Sequence, residues 1–312
     1  MRKRTPFPNS PLREKQGREY RRQRPGGYFP CFLLYLYSFV VYIPINVNLF
    51  GEVQMSESFY TYKCGHTAKY EYIKPDGAKT QSFTLVYAHG FCSDPYGRKP
   101  EEIKKWCIEN GMGFFRYEIA GHGSDAARFE ETTINTYKSQ IFEIVGEMVD
   151  GDVVTAGASL GGWLGLLAAV QFPQKVKGFL GLAAAPDFLK KYFEAYFRPE
   201  HKEILERDGK ITFPTNDFTY VITKEMIASG NENLLLDKET IPYAGKTRLL
   251  QGMKDASLDW RTAPLIAQKL TGSDVKTVLL KDSNHRLGSD SDIAEIRRAL
   301  DDFLTLAAHP RR

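Results

Sequence analysis

Cysteine is scarce in this chain of 312 residues, and its four copies, Cys31, Cys64, Cys92 and Cys107, are scattered without a C-x-x-C pair or a ligand-like histidine neighbour. Neither a zinc module nor a disulfide framework is expected, and a reducing compartment suits the chain best. Charge of one sign is also missing from most of the sequence. The net charge is +4, but residues 1–54 hold 9 Lys and Arg against 3 Asp and Glu, leaving 33 basic and 35 acidic residues from Met55 onward. A nucleic-acid partner would require a basic stripe on the folded part to neutralise phosphates, so none is expected. Long apolar runs are absent too. The stretch 31–45 is apolar but falls short of the ~20 residues a spanning helix needs, and Pro44, Asn46 and Asn48 interrupt it or follow it closely. What is present is 42% hydrophobic and 13% aromatic residues, too apolar for a disordered chain and enough for one large α/β core or two small domains.

Residues 1–30 are rich in Arg, Pro and Gly with no apolar period, and segment 1–54 as a whole reads as lying outside the fold. Its composition fits a weak signal or anchor segment, an Arg-rich and acid-poor organelle transit peptide, or an extension upstream of a start at Met55. The first two readings imply a membrane-anchored or mitochondrial protein, with membrane contact confined to residues 31–50. The third implies a cytoplasmic one. The folded domain is expected over residues 55–312.

From Phe59 onward, short β-branched and aromatic runs alternate with longer helical patterns. Strands are predicted at 67–74, 83–88, 113–119, 152–158, 176–184, 246–251 and 274–281, and helices near 98–110, 135–149, 160–172, 260–271 and 291–306. That alternation predicts an α/β fold with a doubly wound, mostly parallel sheet. Residues 187–244 break the rhythm and are expected to form a helical lid over the carboxyl edge of the sheet, where ligands bind in open α/β folds. In that segment Phe188, Tyr192 and Tyr196, with Phe193 and Phe197, recur every four residues. They would either pack on the core beneath or line an apolar pocket.

Gly157-Ala158-Ser159-Leu160-Gly161 stands between the apolar run Val153–Ala156 and a helical stretch beginning near Trp163. A lone Gly-x-Ser-x-Gly is a weak signal, but this context is that of a nucleophile elbow. A serine hydroxyl needs a histidine base oriented by a carboxylate, in the chain order Ser, acid, His on this type of fold. His66, His89 and His122 precede Ser159, and His201 falls inside the insertion. Of the remaining two, His285 follows a strand, whereas His309 lies beyond the last helix, so His285 is the expected base. Asp255 follows the strand before it with Gly252-x-x-Asp255 spacing. Asp259 is its rival, with a helix N-cap as its plainer role. An oxyanion hole needs two N–H donors, assigned to Leu160 after the nucleophile and to Phe91 in the loop after strand 83–88. His89 and the Gly121-His122-Gly123 loop are expected to be structural, and Cys92 to fill space.

Together the His89-Gly90 loop, the Gly121-His122-Gly123-Ser124-Asp125 loop, the elbow and the late Asp and His resemble the α/β-hydrolase superfamily over residues ~60–306. Gly157–Trp163, Leu250–Asp255 with Trp260, and Asn284-His285-Arg286 look more narrowly like the mitochondrial abhydrolase-domain palmitoyl-protein thioesterases and acyl-glucuronide esterases. Carried over by position, that family's triad falls on Ser159, Asp255 and His285. The chain departs from it at Leu258-Asp259, at Asn284 where relatives often carry Asp, and in the loop His89–Cys92. The resemblance implies hydrolysis of carboxylic esters or thioesters, on small molecules or proteins, through an acyl-serine and without cofactor or metal. A peptidase of the same fold and a non-catalytic ligand-binding homologue are the alternatives.

Overall fold

Strands that read as continuous apolar runs should lie where both sheet faces are covered, and alternating ones at the edges. The computed structural model describes residues 58–76, 82–190, 197–214 and 219–306, all within one unit, Glu57–Arg312. Segment 1–54 lies outside the described residues, as do Tyr192, Phe193, Tyr196 and His309.

The chain enters through β1 (Ser58–Thr61), β2 (Thr67–Ile73) and β3 (Phe83–Ala88), then α1 (Arg98–Glu109) and β4 (Gly113–Tyr117). Next come α2 (Ile134–Glu143), β5 (Asp152–Ala158), α3 (Leu160–Gln171) and β6 (Val176–Leu182). After an excursion the chain returns through β9 (Lys246–Gly252), α6 (Thr262–Lys269), β10 (Val275–Leu280) and α7 (Asp290–Asp301). The excursion holds α4 (Pro199–Asp208), β7 (Lys210–Pro214), β8 (Thr219–Thr223) and α5 (Lys224–Glu232).

Eight strands form one sheet in the order β1-β2-β4-β3-β5-β6-β9-β10. β2 pairs antiparallel with both β1 and β4, and the remaining pairs are parallel. Every residue of β3 and β4 is buried, while β1 and β10 mix exposed and half-buried positions as edge strands do. α3 is buried continuously from Leu160 to Ala169, the mark of a helix enclosed on all sides. Strand order reverses around β3, with β4 on one side and β5 on the other, so the crevice of a doubly wound sheet opens at the carboxyl ends of β3 and β5.

All seven predicted strands are present with ends shifted slightly. Four features differ from the sequence-based expectation. β1 is an additional edge strand, paired antiparallel with β2. The insertion is not purely helical: β7 and β8 form an antiparallel hairpin between α4 and α5, in the register Ile211↔Ile222. The helix predicted at 135–149 widens into a π turn at Ile144–Met148, closed by Val149 N–H to the Ile144 carbonyl, which keeps Ile144 and Val145 buried. α6 starts at Thr262 because a turn precedes it, with the Thr262 N–H on the Asp259 carbonyl and the Arg261 N–H on the Asp259 carboxylate.

Candidate active site

The reversal from β5 into α3 is made by a single residue, Ser159, at φ 53 and ψ −115. A non-glycine residue is held in such a conformation only when its surroundings compel it. Here the Ser159 N–H donates to the Leu182 carbonyl at 3.0 Å, and its own carbonyl accepts from Gly162 at 3.0 Å and Ala185 at 3.1 Å. The flanking glycines are required by space: a Cβ on Gly157 would lie 2.2 Å from the Gly161 carbonyl, and one on Gly161 would lie 2.0 Å from the Ala88 oxygen. Ser159 is half-buried at the carboxyl edge of the sheet. Leu160 is the first residue of α3, where a backbone N–H has no acceptor within its helix.

Asp255 and His285 are brought together by contact between the loops that follow β9 and β10. Met253 N–H donates to the Leu280 carbonyl and Lys254 N–H to the Ser283 carbonyl, each at 2.9 Å. Gly252 allows the approach, since a Cβ there would sit 2.3 Å from the Ser283 oxygen. The result is a 2.6 Å hydrogen bond from His285 Nδ1 to Asp255 Oδ2. With Nδ1 donating, Nε2 is the nitrogen left able to take a proton.

The Asp255 side chain is 0% exposed and that of His285 27%. Asp255 Oδ1 accepts the Ser257 and Leu258 N–H groups at 2.8 Å, and Oδ2 also accepts Gln251 Nε2 at 2.8 Å. Burial pushes its pKa up, but the His285 hydrogen bond and charge, the Leu258 N–H and the Gln251 amide outweigh it and hold the carboxyl below its ordinary value. Asp259 instead engages Arg261 in its own exposed turn.

Gln251 and Asn284 were not singled out by the sequence as orienting groups. Gln251 is a buried amide at the end of β9 that steadies the Asp255 carboxylate. Asn284 Oδ1 accepts the Arg286 N–H at 2.9 Å, closing a turn around His285. That bond needs only an acceptor oxygen, which an Asn supplies as well as an Asp would. The only advance signal was a polar residue beside each motif.

Across the crevice, the loop after β3 is tied to the loop after β4. His89 Nδ1 donates to the Gly90 carbonyl at 2.8 Å, and its Nε2 accepts the Ile119 N–H at 2.9 Å. His122 Nδ1 donates to the Ala120 carbonyl at 3.0 Å, and its Nε2 accepts the Cys92 N–H at 3.1 Å. Burial and the neighbouring His122 lower the His89 pKa to about 3, and burial lowers that of His122. The Cys92 thiol is pushed up to about 12 by burial. His66 is paired with buried Asp125 at 2.5 Å, and His201 in α4 packs edge-on against Phe197 and Phe213.

The Phe91 ring stacks on Tyr220 of β8 at 5.6 Å and 4° and meets Phe129 at 5.4 Å and Phe188 at 5.6 Å. Phe188 also lies edge-on to Trp163 of α3 at 5.9 Å, and Trp163 Nε1 donates to the Asn233 carbonyl beyond α5. The insertion thus rests over the crevice through aromatic contacts with the loop after β3 and with α3.

Comparison with known proteins agrees with this architecture, although no family model matches the chain. A protein of Bos taurus named palmitoyl-protein thioesterase ABHD10, mitochondrial, is 31% identical over 229 residues, spanning 72% of this chain and 74% of its own length. Among solved structures, α/β hydrolase domain-containing protein 10 from mouse is 28% identical with a TM-score of 0.72, covering 80% of this chain and 99% of that one. Est1E from Butyrivibrio proteoclasticus, solved with ferulic acid bound, shares the fold at 17% identity and a TM-score of 0.65, covering 80% of this chain and 99% of that one. The chain belongs to the ABHD10 family of α/β-hydrolases and is a serine hydrolase that cleaves esters or thioesters.

Proposed function

We propose that Ser159 is the nucleophile, His285 its base and Asp255 the carboxylate that orients His285, with the N–H groups of Phe91 and Leu160 as the oxyanion hole. The observation that carries this reading is the 2.6 Å His285–Asp255 pair on the same sheet edge as a serine held at φ 53. In the proposed cycle His285 Nε2 takes the Ser159 Oγ proton as the oxygen attacks the acyl carbonyl. The oxyanion is held by the two N–H groups. Collapse expels the thiolate or alkoxide, which takes the proton from His285, and leaves an acyl-serine. His285 then deprotonates a water that releases the acid and restores Ser159, with Asp255 stabilising the imidazolium in both halves. The cycle calls for no metal or organic cofactor.

A fatty acyl thioester on a protein, or a related small-molecule ester, is the substrate class favoured by this reading. Support comes from the thioesterase name of the bovine relative and from the aromatic wall of Phe91, Phe129, Phe188 and Tyr220. A fluorophosphonate probe should label the folded wild-type protein and fail on Ser159→Ala, with kcat on a p-nitrophenyl ester falling by about 10⁴-fold. Equal labelling of the two proteins would remove Ser159 from the role.

We also infer a mitochondrial location, a reading supported by the word mitochondrial in the relatives' names and by the Arg-rich, acid-poor residues 1–30. A fluorescent fusion of the full chain should colocalise with a mitochondrial marker, and one lacking residues 1–54 should not. Diffuse signal from both would overturn the placement.

A further inference from the structure

Two histidines outside the Ser–Asp–His set grip the turn that carries Phe91, one on each of its flanking peptide units. A trans peptide is planar, with C=O and N–H pointing opposite ways, so fixing one end fixes the other. The Gly90–Phe91 unit has its carbonyl on His89 Nδ1 at 2.8 Å, which turns the Phe91 N–H away from His89. Gly90 itself packs on the elbow, where an added Cβ would lie 3.6 Å from Ser159 Cβ. The Phe91–Cys92 unit is held through its N–H on His122 Nε2 at 3.1 Å, with Cys92 in the left-handed region at φ 50. A non-glycine residue there relaxes if the peptide turns over, so the hydrogen bond to His122 opposes that flip.

Each imidazole is locked in one tautomer by its second contact. A ring nitrogen that accepts a backbone N–H carries no proton, and the other nitrogen donates to a carbonyl. His89 is thereby fixed between Gly90 and Ile119, and His122 between Ala120 and Cys92. The bonds are reciprocal: the loop after β3 sends His89 to the loop after β4, which sends His122 back. The rings meet edge to face at 5.1 Å.

We propose that His89 and His122 are positioning residues that aim the Phe91 N–H at the oxyanion and keep the Cys92 N–H out of the site. The inference rests on the assignment of Phe91 as an oxyanion donor. It makes the His122 contribution visible in the transition state and not in ground-state binding.

The test uses the full chain, steady-state kinetics on a p-nitrophenyl ester, and a trifluoromethyl ketone whose serine adduct carries an oxyanion. His122→Phe keeps an aromatic ring against Phe129 and Tyr137, which His122 meets at 5.3 and 5.9 Å, while removing the acceptor. His122→Gln restores an acceptor oxygen. We expect His122→Phe to lower kcat about 10- to 100-fold with KM unchanged and to weaken the ketone by a similar factor, part of the loss for a deleted oxyanion donor. His122→Gln should recover most of both. A folded His122→Phe with wild-type kcat, a kcat loss without weaker ketone binding, or no rescue by Gln would each overturn the proposal. Should His122→Phe not fold, nitrogen NMR of the wild type at pH 7 decides: Nδ1–H on both histidines supports it and Nε2–H on either overturns it. Phe91→Pro, which deletes the N–H, separates the two levels. Retained kcat there refutes the Phe91 assignment itself, whereas loss there with an active His122→Phe refutes only the positioning role.

Discussion

At the residue scale, the roles of two nearby carboxylates are divided by burial and by what each accepts. Asp255 is enclosed and takes two backbone N–H groups, the Gln251 amide and His285, while Asp259 caps its own turn at the surface. Asp255→Asn should therefore cost about 10⁴-fold in kcat, because an amide can present its NH₂ to His285 and favour the wrong tautomer. Asp259→Asn should stay near wild type. Steady-state kinetics on both variants checks this, and the reverse order would exchange their roles. The elbow motif pointed to Ser159, chain order with a strand end pointed to His285, and the Gly252-x-x-Asp255 spacing favoured Asp255 over Asp259. Gln251 and Asn284 were illegible as orienting groups, since an amide beside a motif has no signature until its partner oxygen or N–H is located in space.

At the scale of elements, the alternating pattern was enough to find the strands of the main sheet except β1, whose four residues are too short to show a period. The β7–β8 hairpin was missed because its strands sit between two helices in a segment of mixed composition, and pairing across a turn is a tertiary choice. That hairpin delivers Tyr220 onto Phe91. If this stack forms one wall of an acyl site, Tyr220→Ala should lower kcat/KM for dodecanoyl p-nitrophenyl ester roughly 10-fold, in line with losing a large apolar contact of about 1.5 kcal/mol. Acetate ester turnover should change little. Equal losses on both esters, or a wild-type profile confined to acetate, would argue against the acyl wall. The aromatic repeat from Phe188 to Phe197 was visible as a helical face, and its described ends split between the crevice, at Phe188, and Phe213 of the hairpin, at Phe197.

At the scale of the whole molecule, the neutral buried histidines make the fold sensitive to acid. The His89 pKa lies near 3 when folded against an ordinary 6.5, so above pH 6.5 both states are neutral, and as pH falls towards 3 only the unfolded chain takes the proton. Stability should then drop by up to about 1.4 kcal/mol per pH unit across that window from this group, with His122 adding in the same direction. Thermal unfolding of wild type and His89→Gln at several pH values between 6.5 and 4 measures it. The variant should show the shallower fall in Tm, and parallel curves would count against the assignment. By itself the sequence determined the α/β class and the strand–turn–helix around Ser159, and it nominated Asp255 and His285 as the acid and base proposed above, because local periodicity, glycine-dependent turns and chain order are readable in one dimension. Tertiary structure decided which groups hold Asp255, how His89 and His122 tie the loops after β3 and β4 together and what the insertion lays over Phe91. Those depend on distances between loops far apart in the chain, which no local pattern encodes.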